Sequence, residues 1–400
     1  MPAELNTLRR ELLAHIRDQG AATDPLVAEA LRTVPRHLFL PDLPPDKAYL
    51  DEPIVTKRDA DGRPISSSSQ PTIMAIMLDQ LALKRGHRVL EIGAGTGFNA
   101  ALLATIVGDR GAVTSVDLDA DTVEVARENL DAAGCPGVVV VTGDGALGHQ
   151  DRSPYHRIIA TVGVWDLAPA WLAQLAPDGR IVVPLDLNGV QRSVAFERDG
   201  DHWVSRAVSL CGFMRMRGTF AGPERTYLLD TATDLTLSLP TAREIDGDAL
   251  TEVLGEPPSV HAVGDVGPAP TPMQLFDGFT LWLAAHEPRW CALSEQAGAN
   301  PSRLAAAPMR AQESAATAGI LADDGLAMLA VDESADGGLV VHAHGNTEVA
   351  DDLVAQVQAW VVAGRPGTEG MRIDAYPAGV PAGSGDVVLE KGQCRLTLSW

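Results

Sequence analysis

The sequence predicts an α/β protein, a mostly parallel sheet with an antiparallel edge hairpin, followed by a smaller α+β domain. Three observations carry that prediction. Apolar strand-like runs alternate with helical runs from residue 87 to 186; the first of those strands ends in a glycine-rich turn that opens a helix; and the rhythm changes beyond about Gly222.

Residues 5–40 read as helical and close in "TVPRHLFLPD", with a proline-rich loop at "PDLPPDK". The stretch "PISSSSQP", residues 64–71, then sets four serines ahead of a proline, a pattern that fits a loop and a helix cap. Ile73, Met77, Leu78 and Leu81 follow at helical spacing. Strands are predicted at "HRVLEI", "AVTSVDLD", "GVVVVTGD", "YHRIIATVG" and "GRIVVPLD", with helices over 99–106, 121–133 and 167–175 between them. Such apolar strands suit a parallel sheet covered on both faces. "RSVAFERDG" and "HWVSRAVSL", joined by a turn, predict a hairpin at one sheet edge.

Beyond Gly222, "GEPPSVHAVGDVGPAPTP" reads as a linker or long loop. A helix over 271–285, apolar nearly all round through Phe276, Phe279, Trp282 and Leu283, is expected to be buried. A second, over 347–363, carries Val349, Leu353, Val357, Trp360 and Val361 on one stripe and stops at Gly364. Strand-like runs lie at "GLAMLAVDE", "GLVVHAHG", "MRIDAYP" and in a C-terminal hairpin ending "CRLTLSW". The expected division is 1–222 and 223–400.

Composition narrows the function classes. Net charge is −22, from 31 basic and 53 acidic residues, so a nucleic-acid partner is disfavoured by phosphate repulsion. No run approaches the roughly 20 apolar residues that span a bilayer, so no membrane partner is expected. The N-terminal "MPAELNTLRRELLAHIRDQG" is a charged amphipathic helix and lacks the apolar core of a signal peptide. Cys135, Cys211, Cys291 and Cys394 form no CxxC pair, which fits reduced thiols and a cytoplasmic location. His342 and His344 alternate on a strand without a third ligand nearby, so no metal is expected.

The chemistry concentrates in "VLEIGAGTG", residues 89–97, where Gly93, Gly95 and Gly97 let backbone turn tightly against a ligand. Phe98 stands where a dinucleotide-binding loop needs its third glycine, which disfavours NAD. Asp117 ends the next strand, where a carboxylate can accept both hydroxyls of a ribose. Asp144 in "GDG" ends the third, where it can accept from an adenine amine. An adenosine-bearing cofactor follows.

With these residues the chain resembles the class I S-adenosylmethionine-dependent methyltransferases, of Rossmann-like fold. Within them it is similar to the protein L-isoaspartyl O-methyltransferases, through "VPRHLFLP" (34–41), "AYLDEPI" (48–54), "SSSQPTIMAIMLDQL" (67–81), "VLEIGAGTGFNAALLA" (89–104), "SVDLD" (115–119), "VTGDGALG" (141–148), "PYHRIIATVG" (154–163) and "LAPDGRIVVPL" (175–185). The resemblance implies S-adenosylmethionine held by Glu91, Gly93, Gly95, Gly97, Asp117, Leu118, Asp144 and Gly145. It places Ser69, with Ser68 beside it, at the accepting carboxylate. Ile54, Gln70, Phe213, Met214, Arg215 and Arg217 fall on the substrate side. Ser69 has two open roles, carboxylate positioning and helix capping.

Three departures from the repair enzymes stand out. The segment "KRDADGRPISSSSQP" replaces their glycine-glutamine pair; "GFMRMRG" puts Arg215 and Arg217 at apolar or proline positions, as a clamp for acidic peptide or as strand-edge charge; and about 180 residues follow the first domain. The layout resembles the longer homologues that act in lanthipeptide and graspetide biosynthesis. The expected partner is then a modified, macrocyclic precursor peptide whose aspartate is esterified and closes to an aspartimide, with the C-terminal domain recognising it and the enzyme a monomer. General isoaspartate repair is the alternative, and a peptide-binding module with a vestigial methyltransferase domain is a third reading.

Overall fold

The computed structural model describes residues 2–60, 62–296, 298, 302–310, 314–332 and 338–400. Met1, Asp61 and Glu333, which the sequence reading placed in the first helix, ahead of the serines and at a strand end, lie outside the described residues. The chain divides into two compact units, one of 1–186, 191–222 and 372–398, the other of 187–190, 223–371 and 399–400.

The first unit begins with helices Pro2–Asp18 and Pro25–Thr33. Strands β1 (Ile54–Arg58) and β2 (Pro64–Ser68) then pair antiparallel, so Ser66–Ser68, expected in a loop, belong to a hairpin. Helix Pro71–Leu81 leads into β3 (Arg88–Ile92), β4 (Ala112–Asp117), β5 (Val139–Thr142), β6 (Tyr155–Ala160), β7 (Leu175–Leu187), β8 (Val190–Asp199) and β9 (His202–Leu210). β3 pairs in parallel with both β4 and β6, so the chain reverses direction across the sheet between β3 and β6. Open α/β sheets bind ligands at the strand carboxyl ends beside such a reversal. Apolar side chains of helices Pro71–Leu81 and Phe98–Val107 pack with those of β3 and β4 in one core, Met77, Leu78, Leu102 and Leu103 all fully buried.

The second unit is an antiparallel sheet of β10 (Arg225–Asp230), β11 (Leu235–Leu239), β12 (Ser259–Ala262), β13 (Trp290–Gln296), β14 (Met309–Arg310), β15 (Ser314–Leu321), β16 (Gly325–Val331) and β17 (Leu339–Gly345). β12 lies inside the stretch read as linker and pairs with β17. Helix Glu348–Val362 covers one face through Val349, Leu353, Val357 and Trp360, and a second apolar cluster around Leu237, Leu293 and Met328 covers the other. With both faces covered, "GLAMLAV" needs no polar alternation. Residues Pro272–His286 are helical with a π turn at Leu275–Phe279, which leaves Phe276 54% exposed, contrary to its expected burial. His344 is buried, its Nδ1 3.1 Å from Val253 O. Among the described residues no group of His, Cys, Asp or Glu is arranged to hold a metal, and no helix is long and apolar enough to cross a membrane.

The division at residue 222 is incomplete, because β18 (Arg372–Pro377), β19 (Val387–Glu390) and β20 (Cys394–Ser399) extend the first unit's sheet in the order β19-β20-β18-β9-β8-β7-β6-β3-β4-β5. β18 pairs antiparallel with β9. The β8–β9 hairpin is therefore interior to the sheet, where it was expected at an edge. An unpaired β9 would have exposed a row of backbone donors and acceptors.

Candidate active site

A cleft opens at the carboxyl ends of β3, β4 and β6. It is walled by Ser66–Ser69, the glycine turn, Asp117–Asp119, Gly145, Thr161–Val162 and Phe213–Arg217. In the turn that follows β3, the first and last glycines stand where a Cβ would crowd a neighbour. Gly93 has φ +97°, and a Cβ there would come within 2.9 Å of Thr161 Oγ1. Thr161 in turn donates to Gly93 O at 2.7 Å and fixes the turn from β6. Gly97 faces helix Ala120–Ala132 instead of the cleft, where a Cβ would lie 3.0 Å from Ala126 O.

Beneath the turn, Glu91 is fully buried and accepts from Asn99 Nδ2 at 2.7 Å and Ser115 Oγ at 2.5 Å. Burial pushes its carboxyl up to about 7, against those two hydrogen bonds. Glu91 is thus a buried support and does not wall the cleft. Asp117 does. Its Oδ2 accepts from Gly95 N at 3.1 Å and its Oδ1 from Asp119 N at 3.2 Å, which orients the carboxylate and leaves acceptor capacity on both oxygens.

Asp144 sits elsewhere. Oδ1 accepts from Ala146 N at 2.9 Å, while Oδ2 accepts from Thr219 N and Oγ1 at 3.0 and 2.7 Å. Burial raises its pKa, but those bonds prevail and hold it below the ordinary value. The cleft wall carries Gly145 in its place, so Asp144 anchors the Phe213–Thr219 segment. Leu118, 39% exposed, lines the rim; Ile54 and Gln70 lie outside the wall.

The serine run is held from two directions. Asp51 accepts from Thr72 N at 2.8 Å, Thr72 Oγ1 at 2.8 Å and Gln70 Nε2 at 3.0 Å, so the helix Pro71–Leu81 is capped from the "AYLDEPI" segment and not by a serine. Arg36 of "VPRHLF" is 1% exposed. Its Nη1 donates to Ala48 O and Leu50 O at 3.0 and 2.8 Å, and its Nη2 to Glu52 O and Ser69 O at 3.3 and 3.2 Å. Burial lowers its pKa to about 10, which still leaves it charged at neutral pH. Neither Arg36 nor Asp51 stood out in the sequence as a site residue; the signal lay in their position inside two of the stretches that carry the family resemblance.

Asp119, also unanticipated, joins both walls. It accepts from Lys57 Nζ of β1 at 3.0 Å and from Arg217 Nη2 at 2.7 Å, and the Arg217 bond leads in holding its carboxyl below the usual range despite partial burial. Arg215 is bound to the buried Asp186. Both arginines are thus engaged within the chain.

Two buried polar atoms in the cleft wall lack a protein partner, Ser68 Oγ and Asn99 Oδ1. Orphaned buried acceptors and donors are costly and mark places where a ligand completes the bonding. With the Asp117 carboxylate and the Gly93 cradle, they fit a molecule bearing a ribose diol and a charged amino-acid end.

A family model described as protein-L-isoaspartate(D-aspartate) O-methyltransferase matches residues 7–218, more than half of the chain. The chain belongs to this family. Its members use S-adenosylmethionine for O-methylation, and the class I methyltransferase fold described above is theirs. The protein-L-isoaspartate O-methyltransferase of Thermotoga maritima is 41% identical over 189 residues, which are 47% of this chain and 59% of that protein. Protein-L-isoaspartate O-methyltransferase 1 of Archaeoglobus fulgidus is 41% identical over 44% of this chain and 79% of its own. The Methanopyrus kandleri enzyme of the same name is 36% identical over 54% and 95%. A solved protein-L-isoaspartate O-methyltransferase superposes with a TM-score of 0.53 at 23% identity, covering 98% of this chain and 99% of its own. The fold of a family member therefore extends over the C-terminal residues as well.

Proposed function

We propose that this protein transfers a methyl group from S-adenosylmethionine to the free carboxylate of an isoaspartyl residue in a protein or peptide. The observation that carries the reading is the pairing of a family match over 7–218 with a cleft that juxtaposes the glycine turn, Asp117 and the serine run. When bound, the cofactor supplies an electrophilic methyl on sulfur. A carboxylate with a reference pKa of about 3.5–4 is already ionised at neutral pH, so no base is required. The chain's own contribution is orientation and exclusion of water. Asp117 receives the ribose hydroxyls, Ser68 Oγ takes a polar group of the bound pair, and Ser69 holds one oxygen of the acceptor while the other attacks. Arg36 and Asp51 keep that serine segment still. In the ester formed, the next backbone nitrogen closes on the carbonyl and methanol leaves, giving a cyclic imide that water reopens.

A macrocyclic precursor peptide as acceptor is the second reading. It is favoured by the β1–β2 hairpin, whose sequence departs from that of the repair enzymes beside the cleft. Arg215 and Arg217 no longer favour it, since each has an intramolecular carboxylate, nor does chain length, since the fold of a solved family member extends as far. Mass spectrometry separates the two. Methyl-ester formation and methanol loss on a linear isoaspartyl peptide are expected; methylation only of a cyclised aspartyl precursor would transfer the assignment to the second reading. Absence of S-adenosylhomocysteine binding by calorimetry would instead support the vestigial-domain reading.

A further inference from the structure

Strands β3, β4 and β6 end at the cleft, and a second cavity opens where they begin. It has a volume of about 170 Å³ and is lined by Arg88, Ala112, Thr114, Arg152 and Tyr155. Arg88, Ala112 and Tyr155 are the first residues of β3, β4 and β6, and Arg88 pairs with Ala112 across the sheet. Arg152 comes from the single helical turn just ahead of β6.

The floor of this cavity is buried and hydrogen-bonded. Tyr155 is 1% exposed, and its hydroxyl donates to His149 O at 2.7 Å. Burial pushes that hydroxyl up, against a bond with Thr114 and the fields of Arg152 and Arg88, while Asp151 adds to the rise. Both guanidiniums therefore lie close enough to the floor to act on it. Among the described residues, neither has a hydrogen bond or an ion pair of its own.

Neighbouring carboxylates do not cancel them. The adjoining cavity, of about 740 Å³, shares Ala112 and adds Arg85, Arg110 and Asp109 to an apolar lining that includes Val107, Val113 and Val138. Arg85 gives one donor to Thr105 O at 2.5 Å, and the Arg110 side chain has no partner among the described residues. Asp178, whose field reaches His87 and Arg157, is matched by the Arg157 guanidinium. Four arginines against Asp109 and Asp151 thus line or adjoin the two cavities, in a chain whose net charge is −22.

A guanidinium without a carboxylate offers a planar fork of N–H donors that matches the oxygens of a phosphate. The smaller cavity falls below the roughly 300 Å³ at which sites for whole ligands begin, so it takes a single anionic group. The larger one has room for the organic body attached to that group.

We propose that the amino ends of β3, β4 and β6 form a binding site for a phosphorylated small molecule. Its phosphate lies on Arg88 and Arg152, and its body fills the cavity bordered by Arg85 and Arg110. This site is separate from the cleft and does not depend on the methyl-transfer reading.

The test is calorimetric titration at low ionic strength with phenyl phosphate and inorganic phosphate, with S-adenosylhomocysteine present to fill the cleft. Wild type is expected to bind phenyl phosphate with a Kd of about 1 mM or tighter, and inorganic phosphate at least about threefold more weakly. Arg88→Met and Arg152→Met should each weaken phenyl phosphate binding at least about tenfold, because each removes hydrogen bonds between charged groups. Arg225→Met removes the same charge from β10 of the other unit and should leave that Kd within about twofold. Arg88 and Arg152 are exposed, so the variants should fold, which circular dichroism checks; should one fail, the other decides by the same threshold. Weaker binding by wild type, a smaller preference between the probes, a smaller loss in either folded variant, or a comparable loss in Arg225→Met overturns the proposal. If S-adenosylhomocysteine does not bind, the functional reading fails by itself, and the same titrations on the free protein decide this one.

Discussion

Replacing Arg36 with methionine removes the hub of the loop that carries Ser69. The guanidinium is enclosed and donates to the carbonyls of Ala48, Leu50, Glu52 and Ser69 at 2.8–3.3 Å. Methionine fills much of the volume and donates nothing. A buried carbonyl left unpaired costs about 1–3 kcal/mol; Ala48 is buried and Ser69 half-buried, while Leu50 and Glu52 are exposed and recover part of the loss from water. Over the four carbonyls the loss comes to about 3 kcal/mol in total. In a unit of this size each kcal/mol moves Tm by about 2–4 °C, so a fall of about 10 °C is expected. Below that Tm, a freed Ser69 carbonyl should lower kcat/KM for an isoaspartyl peptide about tenfold or more while cofactor affinity stays within about threefold. Lysine retains the charge but lacks the planar fork, so Arg36→Lys should fall between. Differential scanning calorimetry and methyl-transfer kinetics on the three proteins check this. A Tm within about 2 °C of wild type, together with unchanged kcat/KM, would refute the reasoning that Arg36 holds the serine segment.

Three further outcomes are expected. Glu91 carries its proton in the folded state up to about pH 7 but loses it near 4.5 when unfolded. The folded state therefore binds more protons between those values, and stability falls by about 3 kcal/mol as pH rises through them. Glu91→Gln should gain about that much on wild type between pH 4.5 and 8 in urea titrations, and a constant difference would show that Glu91 does not titrate as described. Gly93→Ala brings a methyl within 2.9 Å of Thr161 Oγ1 at φ +97°, so calorimetry should find cofactor affinity reduced at least about tenfold. Lys57→Met unties the β1–β2 hairpin from Asp119 and Asp121, and stopped-flow should show S-adenosylhomocysteine leaving about threefold to tenfold faster. An unchanged release rate would mean that the hairpin does not retain the cofactor.

Much of this protein was legible in its sequence. The alternating apolar strands and helices of residues 88–186 announce a covered parallel sheet, because only that arrangement buries both faces of such strands. The glycine turn and Asp117 could be located from their places at strand ends. The second unit was harder to read: β12 lies in a proline- and glycine-rich stretch, and β13 and β15 gain their identity by pairing with each other and with β11 and β16. Strand pairing depends on partners distant in sequence, and no local pattern encodes it.

The sequence by itself located three elements that wall the cleft: the "VLEIGAGTG" turn, the carboxylate that ends the next strand and the serine run are local motifs that can be placed from their own residues. Tertiary structure alone decided what each polar group is free to do. It assigned the helix cap to Asp51, 20 residues before its helix, which leaves the serines facing the cleft. It spent Asp144 on Thr219 and Arg217 on Asp119, and it brought Lys391 back from the end of the chain to Asp186. A hydrogen bond or ion pair needs its partners within about 3–4 Å, and a linear sequence does not say which distant groups folding will bring that close.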